Sequence, residues 1–130
     1  PVNLTVEYWF AKNNVSTHPN EQDVFGTKAR NKFMTVCEGA TRGKSFKRLH
    51  RWKYAPTSAY GNNEVHLHPT KARRLSSAEA LSLQSLPKEF ILPPDMSLSH
   101  MFKTVGNGVP YLLSAGIATT LREYLQEFTL

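Results

Sequence analysis

One cysteine, Cys37, occurs in 130 residues. A single thiol forms no internal disulfide, which points to a reducing cytosol, and the residue reads as a small core hydrophobe. No run approaches the ~18 apolar residues that a membrane span needs. The opening segment PVNLTVEYWF has neither the basic n-region nor the small-residue cleavage site of a secretory signal. Its small first residue is compatible with removal of an initiator methionine, so a complete polypeptide is one reading. Internal repeats and low-complexity tracts are absent. Acidic residues are also scarce, ten against sixteen Lys and Arg, for a net charge of +6. That shortage is local. Residues 1–72 hold eleven Lys/Arg and five Asp/Glu, whereas residues 73–130 hold five of each. A basic part joined to a neutral part suggests contact with a polyanion through one lobe only.

At this length the chain suits one ordinary domain, or two small lobes sharing a core. Residues 2–10 alternate apolar and polar, with Val2, Leu4, Val6, Tyr8 and Phe10 on one side, and predict a half-buried strand. Residues 11–23 are turn-rich and predict a loop. FMTVC (33–37) reads as a short buried strand, and VHLH (65–68) as another that Pro69 stops. Ser76-x-x-Glu79 is a capping box that opens a helix, which ends by Pro87. Residues 88–104 read as a loop with a short turn near residues 100–103. In Gly106-Asn107-Gly108 the glycines permit positive φ and close backbone approach to a ligand. Pro110 fits the first position of a closing helix over 111–127, on which Leu113, Ile117, Leu121, Tyr124, Leu125 and Phe128 recur at helical spacing. That helix predicts an exposed apolar face in the isolated chain.

Between residues 42 and 53 the chain carries Arg42, Lys44, Lys47, Arg48, Arg51 and Lys53 with no acid among them, interleaved with Phe46, His50 and Trp52 and followed by Tyr54. Such a pattern suits phosphate contact with stacking at nucleic acid. It also suits a solvated basic surface whose aromatics point inward. His66 and His68, with His50 or Cys37 as a distant third, match no zinc-module spacing, so no metal is expected.

Arg73-x-Leu75-Ser76-x-x-Glu79 followed by Leu83-Gln84-x-x-Pro87 resembles motif IX of the DNA cytosine-5 methyltransferases. Gly106-Asn107-Gly108-Val109-Pro110 with its apolar helix resembles motif X of that family. The resemblance covers residues 66–130, and the basic lobe sits where the family has its target recognition domain. Arg51-Trp52-x-x-Ala55-Pro56-Thr57 resembles the approach to that domain's Thr-containing DNA contact. Ala78, Leu86 and Ser58 depart from the usual Arg, Phe and aliphatic residue at their positions. The family's Phe-x-Gly-x-Gly loop, Pro-Cys nucleophile and Glu-Asn-Val are absent from this sequence, and Cys37 lies in Thr-Val-Cys-Glu.

The resemblance therefore implies an α+β chain without catalytic residues of its own. A small mainly-β DNA-recognition lobe (1–72) precedes a motif IX/X segment (73–130), whose C-terminal helix packs on a partner Rossmann-like methyltransferase domain. Arg42, Lys44, Lys47, Arg48, Arg51, Lys53 and Thr57 would contact double-stranded DNA. Asn107, Gly108 and Val109 would touch S-adenosyl-L-methionine, shared with a catalytic partner chain. Arg73, Glu79 and Gln84 would hold the lobes together. The implied protein is the small subunit of a split, cytoplasmic enzyme, prokaryotic or phage, with no membrane or metal involvement. A fragment of a single-chain enzyme and a non-enzymatic DNA-binding module are the two alternatives.

Overall fold

The structure, a computed structural model, describes residues 1–26, 30–43, 45–57, 60 and 65–128. It is α+β, as expected, but the basic lobe is not mainly β. Among the described residues, strand is confined to β1 (Phe46–Arg48) and β2 (Val65–Leu67), paired in parallel with Phe46 opposite Val65 and Arg48 opposite Leu67.

The expected strand at 2–10 is instead a 3₁₀ turn, Val2–Leu4, and a helix, α1 (Val6–Lys12). Thr5 stays extended and its hydroxyl accepts the Tyr8 amide at 3.4 Å, capping the helix. Glu7 in the first turn and Lys12 in the last complement the helix dipole. Val6 and Phe10, the buried pair, lie four residues apart, a spacing that belongs to both the strand and the helix period. The orphan amides of Val6 and Glu7 donate to the carbonyls of Lys53 (3.1 Å) and Arg51 (3.0 Å).

The expected strand at 33–37 is also helical. α2 spans Arg30–Thr35 and buries Phe33, which packs with Val65 and Leu67. Cys37 lies beyond its end and is exposed, contrary to the core role expected of it.

β2 occurs where expected, and the chain then doubles back beside it. His68 N–H donates to Arg73 O and Leu75 N–H to His66 O. This delivers Ser76 to the start of α3 (Ser77–Leu83), where both halves of the capping box form. Six of the seven α3 residues are buried, and α1 and α4 pack against it. Residues from before the motif region clamp it. Ser77 N–H donates to Asp23 O and Ala78 N–H to Asn20 O. The Asn20 carboxamide exchanges two bonds with the Leu92 backbone (2.9 and 3.1 Å), and Asn13 donates to Leu86 O at 2.8 Å. α3 stops before Pro87, because Ser85 adopts φ 55° and turns the chain.

The expected loop over 88–104 contains the start of a ten-residue helix, α4 (Leu98–Asn107), capped by Ser97, whose hydroxyl accepts the His100 amide. Met101, Phe102 and Val105 form its buried stripe against Ala80 and Leu81 of α3. The Gly-Asn-Gly run is accordingly not a positive-φ turn. Gly106 and Asn107 end α4, and Gly108 is extended at φ −73°, ψ 145°. Close approach does occur at Gly106, where a Cβ would stand 3.3 Å from the Tyr60 amide nitrogen. α5 (Tyr111–Glu127) follows Pro110 as expected, and none of its residues is buried.

Candidate functional site

Three regions carry the residues singled out from sequence. The first is the turn into α3. Arg73 and Glu79 form a two-pronged ion pair (Nη2–Oε1 2.6 Å, Nη1–Oε2 2.8 Å), and Glu79 Oε2 also accepts the Ser76 amide at 2.9 Å. His68 closes the cluster. Its Nδ1 accepts the amides of Thr70 (3.1 Å) and Lys71 (2.9 Å), so the ring hydrogen sits on Nε2, 3.4 Å from Glu79 Oε1. Burial pushes the His68 pKa down to about 4. The Glu79 carboxylate opposes that shift, and the charges of Arg73, Lys71 and Arg48 add to it. The imidazole is neutral near pH 7, which leaves one carboxylate facing one guanidinium. A fully bonded cluster of this kind holds chain segments in place and contains no nucleophile.

The second region is the α4–α5 junction. Gln84 brackets it from beneath, since its side chain donates to Val105 O at 3.1 Å and its carbonyl accepts the Tyr111 amide at 2.9 Å. Ser85 Oγ accepts the Leu112 amide at 3.0 Å, a contact not anticipated from sequence. Asn107, Gly108 and Val109 are all exposed above this support. Their backbone and the Asn107 carboxamide are therefore open to a ligand that needs hydrogen bonds and close approach, as the cofactor edge implied above requires. Beyond the junction, Leu113, Ile117, Leu121, Tyr124 and Phe128 of the α5 region are each between 52 and 67% exposed, an uncovered apolar face of the kind the sequence predicted.

The third region is the basic cluster, whose members have unequal roles. Arg48 is turned into the protein. Its Nε donates to Pro69 O (2.9 Å) and its Nη1 to Phe33 O and Val36 O (both 3.0 Å), tying β1 to α2 and to the end of β2. Arg51 grips Glu38 through Nε (3.0 Å), Nη2 (3.3 Å) and its own amide (2.9 Å). Those bonds hold the Glu38 carboxyl below its ordinary pKa. Glu38 lies outside the 42–53 window, which is why that stretch read as free of acid. Arg42, Lys53 and Thr57 are exposed, Lys47 is half-buried on β1, and Lys44 lies outside the described residues. Trp52 and Tyr54 are about 60% exposed, so neither aromatic points into the core. A groove of about 470 Å³ runs between the turn at 39–43 and His50, Lys53 and Tyr54.

Residues 4–123 match the family described as C-5 cytosine-specific DNA methylase. The chain belongs to this family. Over 124 residues, 95% of its length, this methylase-family chain is 61% identical to the type II methyltransferase M.NmeDI of Neisseria meningitidis serogroup C, of which it covers 30%. It is 34% identical over 97 residues, 68% of its length, to the type II methylase M.HgiDII of Herpetosiphon aurantiacus, of which it covers 27%. The chain thus spans under a third of the curated relatives it matches. No solved structure matches it significantly. Among the described residues, no helix is long and apolar enough to cross a membrane, and no three His, Cys, Asp or Glu side chains stand close enough to hold a metal ion.

Proposed function

We propose that this chain is the DNA-recognising, non-catalytic subunit of a two-chain DNA cytosine-5 methyltransferase. The observation that carries this reading is α5, a seventeen-residue helix with an apolar face and no buried residue, in a family member that spans under a third of its relatives. An apolar surface of this kind marks an interface, and the partner that fits it is the catalytic part of the same enzyme. That partner supplies the cofactor loop, the nucleophilic cysteine and the catalytic glutamate. Attack on a cytosine ring needs a positioned thiolate and an acid, and the Pro-Cys and Glu-Asn-Val motifs that carry them in this family do not occur in this sequence.

Two functions then fall to the chain. The lobe 1–72 contacts double-stranded DNA. Extruding the target base costs about a few kcal/mol, and DNA contacts by this lobe help to offset it. The segment 73–130 completes the cofactor site. S-adenosyl-L-methionine supplies the methyl group when bound. Asn107, Gly108 and Val109 border it through backbone and carboxamide, while Arg73, Glu79 and Gln84 hold that border against the recognition lobe.

The alternative is that the same residues form the C-terminal part of a single-chain enzyme. The low coverage of both relatives fits this reading as well as the first, since each carries this segment within a longer polypeptide. The deciding experiment mixes the chain with a separately produced catalytic part that bears a Pro-Cys motif, duplex DNA and labelled cofactor. Methyl transfer in the mixture and in neither component alone is the expected result. Transfer by the chain alone overturns the proposal, and DNA binding that gains nothing from the partner favours a non-enzymatic module.

A further inference from the structure

Two of the cations in the basic cluster are committed within the protein, Arg48 to the carbonyls of Phe33, Val36 and Pro69 and Arg51 to Glu38 at the base of the turn 39–43, which backbone bonds from residues 48 and 49 also hold. Arg51 fixes Glu38, the residue before Gly39. Arg48 N–H donates to Ala40 O, and Gly39 N–H is shared between the carbonyls of Arg48 and Leu49. Gly39 itself sits at φ +83° directly over the His50 ring. The turn 39–43 is therefore fastened at its base, and the groove it forms over His50, Lys53 and Tyr54 has a rigid wall.

Inside this groove the chemistry favours an anion. Arg42 and Lys53 line it and are exposed, and no carboxylate among the described residues lines it. His50 Nδ1 accepts the Trp52 amide at 3.1 Å, so its Nε2 carries the hydrogen, and no acceptor among the described residues takes it. The exposed Tyr54 ring stands at the rim, where a sugar or base edge next to a bound anion would rest against it.

Resting on the DNA-binding reading above, we infer that this groove seats one phosphate of the DNA backbone. Arg42, Lys53 and His50 Nε2–H bind it, Arg51 acts as a positioning residue that holds the base of the turn through Glu38, and Arg48, spent on the carbonyls of Phe33, Val36 and Pro69, does not touch DNA. Both arginines are thereby removed from the set of direct contacts suggested by their place in the sequence.

Salt dependence separates contact from support, because each lost phosphate contact lowers the magnitude of the log–log slope by about 0.9. The experiment measures binding of the full chain to a short mixed-sequence duplex by fluorescence anisotropy across a salt series, with circular dichroism to confirm that each variant is folded. Arg42→Gln with Lys53→Gln, which together empty the one phosphate seat, should reduce the slope by about 0.9. Glu38→Gln with Arg51→Gln, which removes the charge pair but keeps an amide-to-amide bond, should leave it unchanged. A wild-type slope in the first double variant overturns the inference while leaving the DNA-binding reading intact. A reduced slope in the second overturns the division of roles, since Arg51 would then touch phosphate. A wild-type chain whose binding shows no salt dependence removes the DNA-binding reading, and the inference falls with it.

Discussion

Arg73 and Glu79 meet side by side, with both guanidinium prongs on both carboxylate oxygens, and Glu79 is only 2% exposed. The pair spans the turn from β2 into α3, so its loss should loosen the junction between the strand pair and the helix that supports the α4–α5 surface. Glu79→Ala leaves the partly buried Arg73 charge and the Ser76 amide without their acceptor. The expected loss is about 3–5 kcal/mol, read as a fall in the urea midpoint. Replacing both residues by Met should cost clearly less than Glu79→Ala alone, because no unmatched charge is then left behind.

His68 gives the fold a defined response to acid. Its folded pKa of about 4 lies below the ordinary 6.5, chiefly because burial disfavours the charged ring. The folded state thus binds fewer protons than the unfolded chain between those values. The His68 contribution is complete above pH 6.5, is lost as pH falls toward 4, and is constant below that. Its size is on the order of 3 kcal/mol. Unfolding free energy measured from pH 7.5 to pH 4 should fall more steeply in the wild type than in His68→Gln. Parallel curves would show that the ring does not titrate in this way.

Gln84 joins three helices through one side chain and one carbonyl. Gln84→Leu keeps similar bulk but removes the side-chain bond to Val105 O, which retains the Gly108 amide as a donor (3.2 Å), at a cost of about 0.5–1.5 kcal/mol. The loosening should appear first in faster amide exchange around Gly108 and Tyr111. On the function proposed above, it should weaken cofactor binding by the assembled enzyme more than DNA binding. Equal loss of both would indicate general destabilisation instead.

On the two-chain reading proposed above, α5 should be nearly indifferent to polar substitution until the catalytic part is present. Ile117→Asp with Leu121→Asp alters side chains that are just over half exposed, so melting of the isolated chain should change by no more than about 0.5 kcal/mol per site. Co-sedimentation with the catalytic part should be abolished, together with methyl transfer in the mixture. Retained assembly would move the interface elsewhere.

The sequence was most legible where local chemistry alone decides the outcome. The Ser76–Glu79 capping box, the stop of β2 before Pro69 and the long apolar spacing of α5 are self-contained signals, and each formed where expected. The N-terminal helix was not legible, because Val6 and Phe10 fit either period and the carbonyls that accept the first two α1 amides come from residues 51 and 53. α4 was obscured by the Pro93–Pro94 pair before it and by glycines that end a helix rather than form a turn. The apolar face of α5 could be read from spacing. The engagement of Arg48 and Arg51 could not, since Glu38 is thirteen residues from Arg51, and Phe33, Val36 and Pro69 meet Arg48 only through tertiary structure.

β1 and β2 run parallel, and residues 49–64 connect them in the sequence. Both ends of that connection are pinned, Leu49 N–H to Leu67 O and Val65 N–H to Ser45 O. Lys53, Tyr54 and Thr57 all lie on it. The side chains of Lys53, Tyr54 and Thr57 are exposed, so they can be exchanged without shifting the strand register or disturbing the turn into α3. On the DNA-binding reading proposed above, a lineage carrying this chain could change the DNA word it reads by rewriting a single connection, while the surface that meets the rest of the enzyme passes unchanged from one specificity to the next.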